Sequence, residues 1–355
     1  MNSIAFLQIW KQIMADLIGK DSYRGVTLSY SWLANQFGHF GLGFIPTVFL
    51  FSYPYFKNTN AAIIVSSVWL AFEILNFTVP LLSNRPSLLK ILPIPSLNKY
   101  VFKPDYYNVG FDTFTDVLFF GLGAFSANYI LNQLIPNSLI VVIIFIMLTP
   151  CSYYWYTTKM YIQGAVYPFQ LRLSQINNNK INSTEAKLVQ NFVRKCLVSE
   201  GNNFIIYGST NSGKTSLAVA MATELSIKHK ICWYTSGMKI LSKFSEDLGT
   251  IQGTENIWNW KDAQSLIIDD VDAGGKIVEE LINPQLFNKY LESPDEKKKL
   301  LSQKNIIWVL GNIHLDDDLK RTWEVWITEI GINKKLSSII LNKIDEEANQ
   351  VKKSV

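Results

Sequence analysis

The sequence predicts two fold classes in one chain. An all-α region of about four membrane-crossing helices comes first, and an α/β domain with a parallel sheet flanked by helices follows. Three observations predict this. Charged residues make up only 17% of the 355 positions; they are few in residues 37–156 and ordinary in number from about 180 onward. After residue 185, short apolar runs alternate with helix-like stretches, as β-α units do. Between the first such run, Phe204-Ile205-Ile206-Tyr207, and the helix-like Ser216–Ala222 lies a glycine-bounded loop, Gly208–Thr215.

Residues 1–36 form the first region. Ile4, Phe6, Leu7, Ile9, Trp10, Ile13, Met14, Leu17 and Ile18 make an apolar-rich helix broken by Lys11, Asp16 and Lys20. It lacks the short apolar core and small-residue cleavage site of a signal peptide. Two readings stand: an interfacial amphipathic helix or an ordinary core helix.

The second region, 37–157, holds four stretches that approach the roughly 20 apolar residues a membrane-spanning helix needs. They are Phe37–Phe56, Ala61–Leu82, about Phe114–Leu134, and Asn137–Tyr156, whose centre Leu139–Leu148 is the strongest signal. Tyr53, Tyr55, Phe56 and Tyr153–Tyr156 gather at segment ends, where aromatic belts sit. Lys11, Lys20 and Arg24 precede the first stretch; Arg85, Lys90, Lys99 and Lys103 lie between the second and third; Lys159, Arg172 and Lys180 follow the fourth. Only Lys57 lies in the first connection and no charge in the third. The positive-inside rule then puts the N-terminus, the 83–113 loop and everything after 157 in the cytoplasm. Glu73 should face the bundle interior. His39 reads as interfacial, and Gly121, Gly123, Ala124, Ser126 and Ala127 as close-packing positions. The proline-rich 83–113 loop lies on the membrane surface or docks on the soluble part; the sequence does not separate these.

Residues 158–184 read as a linker, ending in the Asn-rich Ser174–Ser183. The α/β domain, 185–355, opens with a helix over Glu185–Leu197 capped by Ser183 or Thr184. Strands are expected at 203–207, 231–235, 265–270 and 305–312, with helices at 213–228, 238–248 and within 277–302. Trp323–Glu329 is expected as a last strand and 334–350 as a terminal helix.

The chemistry sits on two of these strands. Gly208-Ser209-Thr210-Asn211-Ser212-Gly213-Lys214-Thr215 has the spacing G-x-x-x-x-G-K-T of a phosphate-binding loop, followed by Ser216. Glycines let backbone N–H groups close around phosphate oxygens, and the helix N-terminus adds partial positive charge. Lys214 can reach the β- and γ-phosphates, and the Thr215 hydroxyl can ligate Mg²⁺. Some 55 residues on, Leu266-Ile267-Ile268 leads into Asp269-Asp270. Asp269 would hold the magnesium ion through water, and Asp270 would orient and activate the attacking water. Asn312, at the end of the fourth strand, can touch the γ-phosphate; a turn-forming role is its alternative. Arg321 is either part of a solvated charged run or an arginine finger for a neighbouring subunit.

Other properties narrow the field. A net charge of +4 is too small to argue for nucleic acid. Lys228, Lys230, Lys239, Lys243 and Lys297–Lys299 read as a solvated face, with DNA contact as the alternative. Cys151, Cys196 and Cys232 are scattered, as are the three histidines, so neither set suggests a metal site.

The order of these motifs resembles the AAA+ ATPases of the bacterial helicase-loader, initiator and transposition-helper group. It is carried by Phe-Ile-Ile-Tyr-Gly-x4-Gly-Lys-Thr-Ser-Leu-Ala, then Met238–Lys243, Leu-Ile-Ile-Asp-Asp-Val and a strand ending in Gly-Asn, over about residues 185–330. The resemblance implies an AAA+-like P-loop NTPase of bacterial type with ATP and Mg²⁺ as cofactors; the expected spans and their charge bias, not the resemblance, put the chain in the cytoplasmic membrane. The expected function is a membrane-anchored ATPase acting on a protein or nucleic-acid partner, working as a homo-oligomer. The alternative is a nucleotide-controlled membrane effector or scaffold in defence or signalling. A solute transporter is weaker, because the spans show no repeat and one internal acid.

Overall fold

In the computed structural model the described residues are 4, 6–17, 28–57, 60–82, 101–176, 181–245, 257–271, 282–291, 295–311, 317–331 and 336–341. The chain divides into two units. One comprises Met1–Tyr100 and Pro104–Met160; the other comprises Val101–Lys103 and Tyr161–Val355.

The first unit is helical: α1 (Phe6–Leu17), α2 (Leu28–Phe51), α3 (Asn60–Leu82), α4 (Tyr106–Asn132) and α5 (Ile135–Gly164), the last running across the division. Helices α2 and α4 cross so closely that neither contact point has space for a side chain. A Cβ on Gly43 would strike the Phe120 carbonyl, and a Cβ on Gly123 the Phe40 carbonyl. Small residues let helix backbones approach in this way. Trp69 of α3 joins both: its indole N–H donates to the Leu42 carbonyl at 2.9 Å, and its ring stacks on Phe120 at 4.5 Å. Helix α5 is tied to α4 by the Trp155 N–H donating to Thr115 Oγ1 and the Tyr154 hydroxyl to Asn108 Oδ1, both at 3.1 Å.

Polarity in this unit is inverted relative to a water-soluble bundle. Gln36, Glu73 and Asp116 are buried, while Val68, Phe72, Leu75, Phe145 and Ile146 are exposed. Glu73 faces inward as expected and accepts from Asn76 at 3.4 Å. His39, expected at the interface, is half-buried, 2.9 Å from the exposed Asn35 and 3.8 Å from Asp116. Among the described residues three helices, not four, are long and apolar enough to cross a membrane: Asn60–Thr78, Tyr106–Asn132 and Ile135–Gly164. The expected first span falls in α2, which is 24 residues long. Asn35, Gln36, His39 and three glycines dilute its apolar character.

The second unit is an α/β layer fold. Its elements are α6 (Ser183–Val198), β1 (Asn203–Gly208), α7 (Lys214–Ile227), β2 (Cys232–Ser236), α8 (Gly237–Ser245), β3 (Ser265–Asp269), α9 (Pro284–Leu291), α10 (Asp295–Ser302), β4 (Asn305–Val309), α11 (Asp317–Ile330) and β5 (Ser337–Leu341). All strands pair parallel, in the order β2-β3-β4-β1-β5. Strands β1, β3 and β4 are buried along their whole length. That is why they read as continuous apolar runs rather than alternating ones.

Several sequence expectations shift here. Asn182, not Ser183 or Thr184, caps α6: its Oδ1 accepts from Thr184 N and Glu185 N at 2.9 Å, and Glu185 accepts the Asn182 N–H in return. This reciprocal capping box satisfies donors that helix ends leave open. Trp323–Glu329 is helix, not strand. Its buried residues, Trp323, Trp326, Ile327 and Ile330, recur at the helical spacing i, i+3, i+4, i+7. They close on Phe287 of α9 and Trp308 of β4, with ring centroids 5.1–6.0 Å apart. Strand β5 occupies part of 334–350, where a helix was expected; residues 342–350 lie outside the described set, as do 83–100. Phe102, from the 83–113 loop, is 2% exposed within the core of the second unit.

The residues expected as a linker are folded onto this unit from Tyr161 to Ile176. The Tyr161 ring stacks on His229 at 4.9 Å, Ala165 O accepts the Tyr234 N–H at 2.8 Å, and the Tyr167 hydroxyl meets Ser226 Oγ at 2.9 Å. Arg172 pairs with Glu224 through two bonds of 2.8 and 3.2 Å.

A buried amide joins the starts of β1 and β4 to the end of α6. Asn305 Oδ1 accepts from Asn202 N at 3.0 Å and Asn202 Nδ2 at 2.7 Å, and its Nδ2 donates to Ser199 O at 3.1 Å. Replacing Asn305 with Ala leaves the buried Asn202 N–H without this acceptor. The unfolding midpoint of Asn305→Ala, followed by tryptophan fluorescence, is expected to fall by the equivalent of about 1–3 kcal/mol.

Candidate functional site

Sheet order reverses at β1. The chain leaves β1 for β2 at the far edge, returns through β3 and β4, and then crosses β1 to add β5. Open α/β sheets bind ligands at such a switch point, outside the carboxyl ends of the strands. Gly208 ends β1 there, and Asp269 ends β3.

The loop after β1 needs its glycines. A Cβ on Gly208 would meet Ser212 Oγ at 2.6 Å and strike the Leu341 carbonyl of β5. Gly213 has φ 96°, a left-handed conformation that glycine adopts without a Cβ penalty, and it precedes the first residue of α7. Asn211 also sits at positive φ, 65°. The loop is pinned at its base: Gly208 N–H donates to Gly311 O at 3.4 Å, and Ser212 N–H to Ser209 O at 3.2 Å. Thr210 and Asn211 are exposed; Lys214, Thr215 and Ser216 are half-buried at the start of α7.

The Lys214 ammonium folds back over the loop and donates to Gly208 O at 2.8 Å and Ser209 O at 2.9 Å. The Ser209 and Ser212 hydroxyls are buried, with no hydrogen-bond partner among the described residues. A cationic group resting on loop carbonyls, buried hydroxyls without partners and a helix N-terminus together suit a polyanion.

The second carboxylate element converges on the same sheet end. Asp269 is 1% exposed. Its Oδ1 accepts the Asp270 N–H at 2.9 Å, and its Oδ2 accepts the Tyr234 hydroxyl at 2.7 Å. Burial, the hydrogen bond to Asp269 and that residue's charge all raise the Tyr234 phenol, so it stays a donor at neutral pH. Asp270 lies at positive φ, 49°. Desolvation and then the charge of Asp269 raise its carboxyl above the ordinary range, while the Lys214 ammonium pulls it back. Lys214 and Asp270 therefore act on one another, although 56 residues separate them.

The two residues expected to hold a magnesium ion, Thr215 and Asp269, stand in the first turn of α7 and at the end of β3. Among the described residues no group of three His, Cys, Asp or Glu could hold a metal by itself. Magnesium keeps several waters and takes few protein ligands. Bound there, it would neutralise phosphate charge.

Asn312 and Arg321 are the other two expected site residues. Asn312 lies outside the described residues, one position beyond Gly311. Arg321, on α11, lines an open groove of about 540 Å³ with Pro284, Asn288, Val325 and Trp326. Its neighbours do reach the loop strand: Lys320 Nζ lies 5.1 Å from the Tyr207 ring, and Glu324 Oε1 accepts the Tyr207 hydroxyl at 3.2 Å. Sequence reasoning missed Tyr207, Lys320, Glu324 and Tyr234. Tyr207 reads in the sequence only as part of the first strand, and each of the four acts across elements.

The chain is similar in part to known proteins. Residues 156–277 match the family described as IstB-like ATP binding protein, which supports the resemblance to the helicase-loader and transposition-helper group. Similar solved structures include the crystal structure of the DnaI, at 17% identity over 49% of this chain and 89% of that one. They also include the crystal structure of the DnaC helicase loader, at 16% identity over 53% and 98%; the TM-score is 0.32 for each. No curated protein matches the chain.

Removing the Lys214 ammonium would take away the charge-assisted contact to phosphate expected of this residue. ATP affinity of Lys214→Ala, measured by calorimetry, is expected to drop about 10- to 100-fold with the fold retained.

Proposed function

We propose that this chain is a membrane-anchored ATPase that binds Mg·ATP at Gly208–Thr215 and uses its hydrolysis to act on a protein or nucleic-acid partner. The observation that carries the reading is the convergence of Lys214 with Asp269 and Asp270 at one sheet end. Phosphoryl transfer requires little covalent chemistry from the protein, so positioning and charge suffice. In this reading Lys214 gives up its two loop carbonyls for phosphate oxygens. Loop N–H groups and the start of α7 cradle the β- and γ-phosphates. Asp270 accepts a proton from the attacking water, and its raised carboxyl makes it a better base than an ordinary aspartate.

The membrane part of the reading is supported by three helices of sufficient length and apolarity and by the outward apolar surface of the first unit. The charge bias of the connections favours the cytoplasmic face for the nucleotide unit. Homo-oligomerisation would give Arg321 a role, since it lines an open groove rather than its own loop. In a ring of copies it would serve a neighbour's nucleotide.

A second reading has its own observation. The last turn of α5 and the residues that follow it are part of the nucleotide unit, through Tyr161, Ala165, Tyr167 and Arg172. Nucleotide binding alone could then assemble or gate the helical unit, with slow turnover.

One variant separates the two. Asp270→Asn is expected to bind ATP as the wild type does while phosphate release falls about 10²- to 10⁴-fold. Full activity of this variant in cells would favour the scaffold over the turnover reading, and undiminished hydrolysis would remove Asp270 from its role. A separate experiment addresses the membrane. After cell lysis and an alkaline carbonate wash the protein is expected in the pellet, released only by detergent; release by carbonate alone would contradict spanning helices.

A further inference from the structure

A buried carboxylate at a strand end has freedom about its side-chain torsions, and a metal ligand must be held in one orientation. Tyr234 supplies that hold. In the β2–β3 register Tyr234 lies opposite Ile267 and Ser236 opposite Asp269. Side chains two apart on a strand share a face, so Tyr234 and Asp269 are diagonal neighbours on one side of the sheet. Such positions are within reach of an aromatic side chain. The phenol spans the gap and donates to Asp269 Oδ2 at 2.7 Å.

The strand that carries the phenol is itself fixed. Strand β2 lies at the sheet edge, yet its open side is occupied. The Tyr234 N–H donates to Ala165 O at 2.8 Å, and the Trp258 indole N–H donates to Cys232 O at 2.9 Å. The other carboxylate oxygen is held by the Asp270 N–H at 2.9 Å. A carboxylate offers about four lone-pair sites. These two bonds fix the group and leave acceptor capacity on both oxygens. Phenylalanine at 234 would fill the same volume and leave Oδ2 without its donor.

We propose that Tyr234 is a positioning residue for the metal-binding carboxylate Asp269, holding it in one rotamer for the magnesium ion that accompanies a bound nucleotide. The proposal rests on the Mg·nucleotide reading of Gly208–Thr215. Tyr234 touches neither nucleotide nor metal; its effect passes through Asp269. Its loss therefore changes magnesium dependence and leaves metal-free nucleotide binding as it was.

The test uses the full-length protein in detergent and a fluorescent ADP analogue, titrated at a series of magnesium concentrations and again in excess chelator. For Tyr234→Phe the magnesium concentration giving half-maximal enhancement of binding is expected to rise about tenfold or more, the size typical of a lost outer-shell partner. Affinity in chelator is expected to match the wild type. In an Asp269→Asn background the Tyr234→Phe change is expected to add nothing. An unchanged magnesium midpoint overturns the proposal. So does a loss of affinity that is equal with and without magnesium, which would mark Tyr234 as a packing residue. An effect that persists undiminished without the Asp269 carboxylate also overturns it. A folded wild-type protein that binds no nucleotide removes the premise and the proposal together, which tells that failure apart from the others.

Discussion

The nucleotide unit depends on one steric constraint: β1 must end at a residue without a side chain. Strand β1 is buried between β4 and β5, and at Gly208 the β5 backbone and the Ser212 hydroxyl already occupy the space a Cβ would need. That closeness lets the chain turn at once into the loop and start α7 at Lys214, six residues after Gly208. The loop then has no bulk of its own in the way of a ligand. Its only cation, Lys214, lies across it on two carbonyls. Backbone donors, an ammonium and a helix start are thus concentrated where the sheet order reverses.

The rest of the unit keeps this point in place. Tyr207, the residue before Gly208, is held from above by Lys320 and Glu324 of α11. Helix α11 is held in turn by the aromatic cluster of Phe287, Trp308, Trp323 and Trp326. Asn305 ties the opposite end of β1 and β4 to the end of α6. At the far edge, the residues after α5 hydrogen-bond along β2, whose Tyr234 holds Asp269. The two carboxylates and the loop lysine therefore depend on contacts from nearly every element of the sheet.

Legibility in the sequence followed the range of each interaction. Gly208–Thr215 was readable because its chemistry is contiguous: the glycines, the lysine and the hydroxyl act within one turn of chain. Leu266–Asp270 was readable because a fully buried strand must be apolar until it ends. Helix α11 was mistaken for a strand because tryptophan, valine and isoleucine favour sheets by propensity. Its burial spacing at 323, 326, 327 and 330 carried the correct answer. Strand β5 was missed because five residues with two serines show little period. The Tyr234–Asp269 bond could not be read at all, since it needs the register of two strands 30 residues apart. In the helical unit, Gly123 was legible as a packing residue, whereas its partner Gly43 was not. Their contact depends on which helices cross.

The two units solve burial in opposite ways. The nucleotide unit hides its apolar strands and presents polar loops, while the helical unit hides Gln36, Glu73 and Asp116 and presents Phe72, Leu75 and Phe145. The first arrangement suits water and the second suits hydrocarbon. The central claim is that the Gly208–Thr215 loop is a nucleotide site in the intact chain. The most direct measurement is calorimetric titration of the detergent-solubilised, full-length protein with ATP and magnesium. Saturable binding of one nucleotide per chain, weakened when magnesium is chelated, is the predicted result. A folded protein that shows no saturable binding would contradict the account.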